Sequence, residues 1–181
     1  MSVLSITGQE LLDIVHKDVD DFSLDAGYYI TDSSYAIPDC AYIKTEVYNS
    51  FTKWLKFIGL DKKPGQKQYW HRKFDCENLA SLYKSYCDLL HYKTNPLSFE
   101  ENFKAKNKNK SDSEGLAIGT IWYDNSKTPN ESLPANLHAV NAFITRKPGQ
   151  TELSVIYIEP NNGSQLTLTK SQKESIWYAK F

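Results

Sequence analysis

The chain has 181 residues and a mass of 20.8 kDa, with 40% hydrophobic and 13% aromatic residues. This length supports one core but not two full domains, so we expect a single domain over 1–181, with 1–27 as an N-terminal helical extension. A net charge of −1 argues against nucleic-acid binding. The sequence lacks a run of about 18 apolar residues and a signal-peptide pattern, which predicts a soluble, cytoplasmic protein without membrane contact.

Three helices are predicted in the first half of the chain. Thr7 and Glu10 have the spacing of a capping box, which indicates a short, peripheral helix after them. Apolar residues recur at spacings of three and four over Ala41–Ile58, which predicts a second helix. A third should begin near Asp75 or Cys76, where another apolar stripe starts.

The second half of the chain is dominated by strand patterns. Residues 102–114 are polar and rich in lysine and asparagine, so we expect a flexible loop there. Beyond it, short runs typical of strands cover Leu116–Tyr123, Leu137–Arg146, Thr151–Glu159, Gln165–Thr169 and Ile176–Lys180. The connections are too short for helical crossovers. The predicted fold class is therefore α+β, with N-terminal helices packed on a C-terminal antiparallel β-sheet.

One of the three cysteines stands at a helix start. Cys40, Cys76 and Cys87 cannot all pair, and neither they nor the scattered histidines form a recognisable zinc or other metal site. Asp75 is a candidate N-cap for the third helix, so Cys76 lies where free backbone N–H groups and the helix dipole favour a thiolate. Cys40 and Cys87 are expected to be inert buried thiols. Cys76 is either a third inert thiol or a nucleophile, depending on whether a base lies next to it.

A histidine and a glutamate are predicted to lie on neighbouring strands. The strands that contain His138 and Glu159 are joined by Pro148-Gly149, which indicates a β-hairpin. A turn centred on these two residues places His138 directly opposite Glu159, with Cβ atoms about 5 Å apart. The carboxylate would then orient the imidazole, as in nucleophilic triads. Taken alone, the pair is also consistent with a polar contact on the solvent face of the sheet.

The order cysteine, histidine, acid along the chain is that of papain-like cysteine peptidases. The segments FDCENLASLY, LHAVNAFIT and IYIEPNNG resemble the papain-like C-terminal protease domain of the mushroom agglutinin family and its bacterial and bacteriophage relatives. The resemblance runs from about Tyr28 to Phe181, is specific at these three segments, and implies a papain-like fold.

The resemblance also implies roles for individual residues. Cys76 would be the nucleophile, His138 the general base and acid, and Glu159 the residue that orients the histidine. Gln66 and Gln68 are candidates for donating a hydrogen bond to an oxyanion, besides the backbone N–H of Cys76. This chemistry requires no cofactor. Calcium is implied by family analogy alone, because the sequence contains no EF-hand loop.

The predicted function is cleavage of an amide bond in a protein or peptide substrate through a thioester intermediate. Alternatives left open are a catalytically idle papain-like binding or inhibitory module, a peptidoglycan-directed amidase or endopeptidase, and an acyl transferase. A structural or assembly protein is a further alternative if the C-terminal segment SIWYAKF is an exposed sheet edge. The substrate and the oligomeric state are not predicted.

Overall fold

The fold is taken from a computed structural model of the chain, which describes residues 5–19, 27–60, 75–94, 114–126, 136–146 and 152–181. The predicted loop at 102–114 lies outside these ranges except for Glu114, which begins a strand. The Pro148-Gly149 turn and the two glutamines at 66 and 68 also lie outside the described residues.

Helices form in the three regions where the sequence predicts them, and a further short helix near the end of the chain was not predicted. They are α1 (Gly8–Val19), α2 (Cys40–Tyr42), a π-helical segment (Ile43–Val47), α3 (Tyr48–Phe57), α4 (Cys76–Thr94) and α5 (Lys170–Glu174). The capping box of α1 is confirmed, since the Glu10 carboxylate accepts from the Thr7 N–H at 2.8 Å and the Glu10 N–H donates to Thr7 Oγ1 at 3.2 Å. The helix is not peripheral, however, because Leu11 and Val15 are buried in the core.

The strands form two sheets. They are β1 (Ser5–Thr7), β2 (Gly27–Tyr29), β3 (Ser34–Ala36), β4 (Glu114–Leu116), β5 (Ile118–Asp124), β6 (Leu137–Arg146), β7 (Leu153–Ile158), β8 (Gln165–Leu166) and β9 (Tyr178–Lys180). The larger sheet has the order β2-β9-β5-β6-β7-β8, and the smaller has the order β1-β3-β4. The α+β class is thus confirmed.

Two features of the sheets differ from the prediction. The pairs β2–β9 and β3–β4 are parallel, so neither sheet is purely antiparallel. Strands β1 to β3 come from the first half of the chain and have three residues each, too few to show a period of two in the sequence. Strand β9 lies between β2 and β5, so the SIWYAKF segment is not an exposed edge.

Helix α4 packs across β5 and β6 and sets the position of its own first residue. Tyr83 on this helix is fully buried and contacts Phe51 of α3 and Phe143 of β6, with ring centroids 4.7 and 6.1 Å away. Asn141 of β6 is also fully buried, and its side-chain amide donates to the Ala80 carbonyl at 2.9 Å. These contacts hold the second turn of α4 against the middle of β6.

The opposite face of the large sheet packs against α1. Val140, Ala142 and Tyr157 lie in the same buried cluster as the apolar face of that helix. The Tyr157 hydroxyl donates to the Asp18 carboxylate at 2.6 Å, and Lys173 of α5 pairs with the same carboxylate at 2.9 Å. Among the described residues, none of the helices has the length and apolar composition needed to cross a membrane.

Candidate functional site

Cys76 is the first residue of α4, as predicted, and it is half-buried, whereas Cys40 and Cys87 are buried. The helix start is capped reciprocally: the Asn78 N–H donates to Asp75 Oδ1 at 3.5 Å, and the Asp75 N–H donates to Asn78 Oδ1 at 3.1 Å. The thiol therefore lies at the positive end of the helix dipole, facing the start of β6.

His138 and Glu159 are in direct contact. His138 Nε2 and Glu159 Oε2 are 2.6 Å apart, and the two side chains are only 18% and 13% exposed. The predicted register is nevertheless wrong, because Asn141 pairs with Ile158 and Arg146 pairs with Leu153. Extending this register places Asn161, not Glu159, opposite His138. The contact is a diagonal one, between side chains on the same face of the sheet.

The thiol and the imidazole form a polarised pair. A hydrogen bond with His138 is the main cause that lowers the pKa of Cys76, and the Ala139 N–H adds to it against the effect of burial. Burial lowers the pKa of His138, but hydrogen bonds with Cys76 and Glu159 outweigh it and raise that pKa to about 9. Because Nε2 faces the carboxylate, Nδ1 is the ring nitrogen left for the sulfur. These directions favour a thiolate beside an imidazolium.

The Glu159 carboxylate is held by the turn that follows β7. Its Oε1 accepts from the backbone N–H and the side-chain amide of Asn161, at 3.0 and 2.9 Å, while Oε2 faces His138. Burial raises the pKa of Glu159, but the hydrogen bonds with His138 and Asn161 outweigh it and lower that pKa overall. The acid is therefore ionised and fixed at both oxygens. Asn161 was not predicted as a site residue, although Pro-Asn-Asn-Gly is a recognisable turn signal.

The turn itself is shaped by Gly163 and Tyr48. Gly163 has a φ of +71°, and a Cβ at this position would lie 2.4 Å from the Tyr48 ring. The Tyr48 hydroxyl is half-buried, and its pKa is raised to about 12 by burial and by the nearby charge of Glu159. Only glycine combines this backbone conformation with this close approach.

This arrangement can activate a sulfur nucleophile. The helix start and the imidazolium both stabilise negative charge on Cys76, and Glu159 holds the ring in place. By contrast, burial raises the pKa of Cys87, which keeps that thiol protonated. The roles of the two glutamines at 66 and 68 stay predictions, because both lie outside the described residues. No cluster of three or more metal-binding side chains occurs in the described ranges, so nothing there supports the calcium implied by the resemblance.

We predict that Gly163→Ala destabilises the protein more than Gly59→Ala does. Both glycines have positive φ, but a Cβ at position 59 has nothing within 4 Å. Gly59→Ala should lower the free energy of unfolding by about 1–2 kcal/mol, and Gly163→Ala by roughly 1–3 kcal/mol more because of the Tyr48 clash. Urea denaturation measures both. Equal losses would contradict the steric role of Tyr48.

We predict that His138→Ala raises the pKa of Cys76. The ion pair exists at pH values above the lowered pKa of Cys76 and below the pKa of about 9 of His138. It is lost at lower pH because the thiolate takes up a proton, and at higher pH because the imidazolium loses one. In the variant, the main cause that lowers the thiol pKa is gone, so that pKa rises and the thiolate fraction at pH 6 falls.

The measurement is the rate of Cys76 alkylation by iodoacetamide as a function of pH, followed by mass spectrometry. His16→Ala, which removes an exposed histidine of α1, is the matched control. If both variants keep the wild-type pH profile, the pairing of Cys76 with His138 is wrong.

Comparison with known proteins gives the fold but no family. A scan against protein-family models and a search of curated proteins find no match. Among solved structures, a chain described as "PSL1a-E64 complex" is similar with a TM-score of 0.58 and 20% identity, covering 98% of this chain and 51% of that one. A second is described as Polyporus squamosus lectin bound to the human-type influenza-binding epitope Neu5Aca2-6Galb1-4GlcNAc, with a TM-score of 0.56, 19% identity, and coverages of 98% and 50%. The chain thus spans about half the length of these neighbours.

These neighbours overturn the expected assignment to papain-like cysteine peptidases. One is described as a lectin with a bound carbohydrate, and neither is described as a peptidase. The functions that were predicted from this assignment lose their support with it. They are amide hydrolysis, action on a protein substrate, an idle papain-like module and a peptidoglycan-directed amidase. The physical reason is that a thiol at a helix start near a histidine is a short pattern, which a fold can carry with different functions. The individual roles of Cys76, His138 and Glu159 stay a prediction.

Proposed function

We propose that this chain is a ligand-binding domain whose site is a reactive thiol, and that Cys76 captures electrophilic ligands covalently. The observation that carries the proposal is the 2.6 Å contact between His138 Nε2 and Glu159 Oε2, next to a half-buried thiol at a helix start. A fixed acid makes the imidazole more basic, and the protonated imidazole lowers the pKa of the thiol.

Each of the three side chains has a defined role in the proposed capture. The Cys76 sulfur attacks an electrophilic carbon, so a carbon–sulfur bond forms and the bond to the leaving atom breaks. Protonated His138 gives its proton to the atom that carries the developing negative charge. Glu159 remains ionised and keeps the ring oriented. The product is a stable thioether, and the proposal includes no turnover.

One of the structural neighbours suggests a second probe. It is described as a complex with E64, so the same compound can be tested for attachment to Cys76 of this chain.

We predict that iodoacetamide alkylates Cys76 selectively at neutral pH and that Glu159→Gln slows the reaction roughly 10-fold or more. The loss of one charge-assisted hydrogen bond to His138 accounts for this factor. Glu152→Gln, which changes an exposed acid of similar size, should leave the rate unchanged. Cys76→Ser should abolish labelling. Labelling of Cys40 or Cys87 at the rate of Cys76 would contradict the proposal, as would equal rates for the two glutamate variants.

Carbohydrate binding is a second candidate, favoured by the similarity to a lectin with a bound glycan. The fold is shared at 19% identity over half of that chain, so the ligand is transferred here as a proposal only. Unlike covalent capture, this function needs neither a thiolate nor a bound electrophile.

We predict that the trisaccharide Neu5Aca2-6Galb1-4GlcNAc binds to the wild-type protein and to Cys76→Ser with the same affinity, because a glycan offers the thiol no electrophile. Isothermal titration calorimetry measures both. The disaccharide without the terminal Neu5Ac is the ligand control. The absence of binding heat up to millimolar trisaccharide would contradict this candidate and leave the thiol proposal unaffected.

A further inference from the structure

The imidazole of His138 has an aromatic neighbour on the adjacent strand. In the β5–β6 register, Tyr123 lies directly opposite His138, and side chains of directly opposed residues project from the same face of a sheet. The two rings meet edge-to-face, with centroids 6.0 Å apart and an angle of 69° between their planes. This distance and this orientation are those of a favourable aromatic pair.

The position of the Tyr123 ring is fixed by the core. Tyr123 is only 1% exposed and belongs to the same buried cluster as Ile121 and Val140. Its hydroxyl donates to Asn125 Oδ1 at 3.3 Å, just beyond the end of β5. The hydroxyl therefore has a partner outside the thiol site, and the contact with His138 is made by the ring.

Tyr123 lies near both anions of the site but stays neutral itself. Burial and the charges of Glu159 and Cys76 raise the pKa of Tyr123 to about 12. Among the described residues, the titratable groups that face the imidazole are Cys76 from α4, Glu159 from the turn after β7 and Tyr123 from β5. Because the phenol is neutral wherever the thiolate and the imidazolium coexist, Tyr123 acts on the imidazole through packing and not through charge.

The imidazole lies where a loosely packed ring could rotate towards water. His138 is the second residue of β6, and its side chain is still 18% exposed. Tyr123 fills the space on the β5 side of the ring, so rotamers that point there are blocked. A ring that packing holds in one orientation loses less conformational entropy when both of its nitrogens engage their partners.

We infer that Tyr123 is a positioning residue whose ring holds the His138 imidazole in the orientation that presents one nitrogen to Cys76 and the other to its acid. The inference rests on the proposed thiol function and adds a residue that acts on the thiol only through the histidine. It follows that the site needs the aromatic ring at position 123 and does not need the hydroxyl.

The test is the pH profile of Cys76 alkylation by iodoacetamide, followed by mass spectrometry. Tyr123→Leu should move the acid midpoint of this profile up by about half a unit to one unit, the range of one aromatic pair. Below the midpoint, labelling is then about 3- to 10-fold slower. Tyr123→Phe keeps the ring and should keep the wild-type midpoint. Tyr35→Leu removes an equally buried ring of the same cluster, so it controls for lost core packing and should also keep the midpoint.

A double variant separates positioning from a general structural effect. If Tyr123 acts through His138, Tyr123→Leu should not move the midpoint further once His138→Ala has removed the imidazole. An equal shift in both backgrounds overturns the inference. A shifted midpoint in Tyr123→Phe overturns it as well, because the hydroxyl would then be responsible.

Two further measurements apply if Tyr123→Leu does not fold. Tyr123→Met, whose flexible side chain fills more of the vacated space, takes its place with the same expected shift. In the wild-type protein, NMR should detect nuclear Overhauser effects between the ring protons of Tyr123 and His138. Their absence overturns the contact on which the inference depends.

The outcomes distinguish this inference from the proposed function. An ordinary thiol pKa for Cys76 that His138→Ala leaves unchanged overturns the thiol function itself. A lowered thiol pKa that neither Tyr123→Leu nor Tyr123→Met raises overturns the positioning role and leaves the thiol function intact.

Discussion

A buried carboxylate with every oxygen engaged is the constraint on which the rest of the site depends. Glu159 can remain ionised while mostly buried because His138 and Asn161 satisfy both of its oxygens. The carboxylate in turn fixes the imidazole, and the imidazole stabilises the thiolate of Cys76. The two ends of this chain of contacts come from separate elements. Glu159 lies at the turn after β7, which packs against Tyr48. Cys76 is the first residue of α4, and Asn141 and the aromatic core hold that helix against β6.

The parts of the site that follow from local chemistry could be predicted from the sequence. Asp75 and the apolar stripe after it locate the helix start, and hence Cys76, to within one residue. The pairing of His138 with Glu159 was found from a register that is wrong by two residues. The predicted contact is nevertheless present, because side chains alternate between the two faces of a sheet with a period of two residues. A register shift of two residues therefore keeps His138 and Glu159 on the same face.

The rest depends on contacts that a single sequence does not display. Trp122 and Tyr178 are distant in sequence and become neighbours only because β9 inserts between β2 and β5. The three-residue strands of the first half carry no periodic signal, so their parallel pairings were missed. Function was the largest error: a short thiol pattern suggested a peptidase family, whereas the solved structures with this fold include a lectin.

The central place of β9 has a consequence for the order in which the large sheet can form. Strands β5, β6 and β7 are contiguous in sequence and pair through short-range contacts. Strand β2 joins the sheet only through β9, about 150 residues further along the chain, so this pairing has a larger loop-closure cost. Folding thus brings the histidine and its acid together by short-range pairing, and Trp122 stays unshielded until Trp177 and Tyr178 reach it.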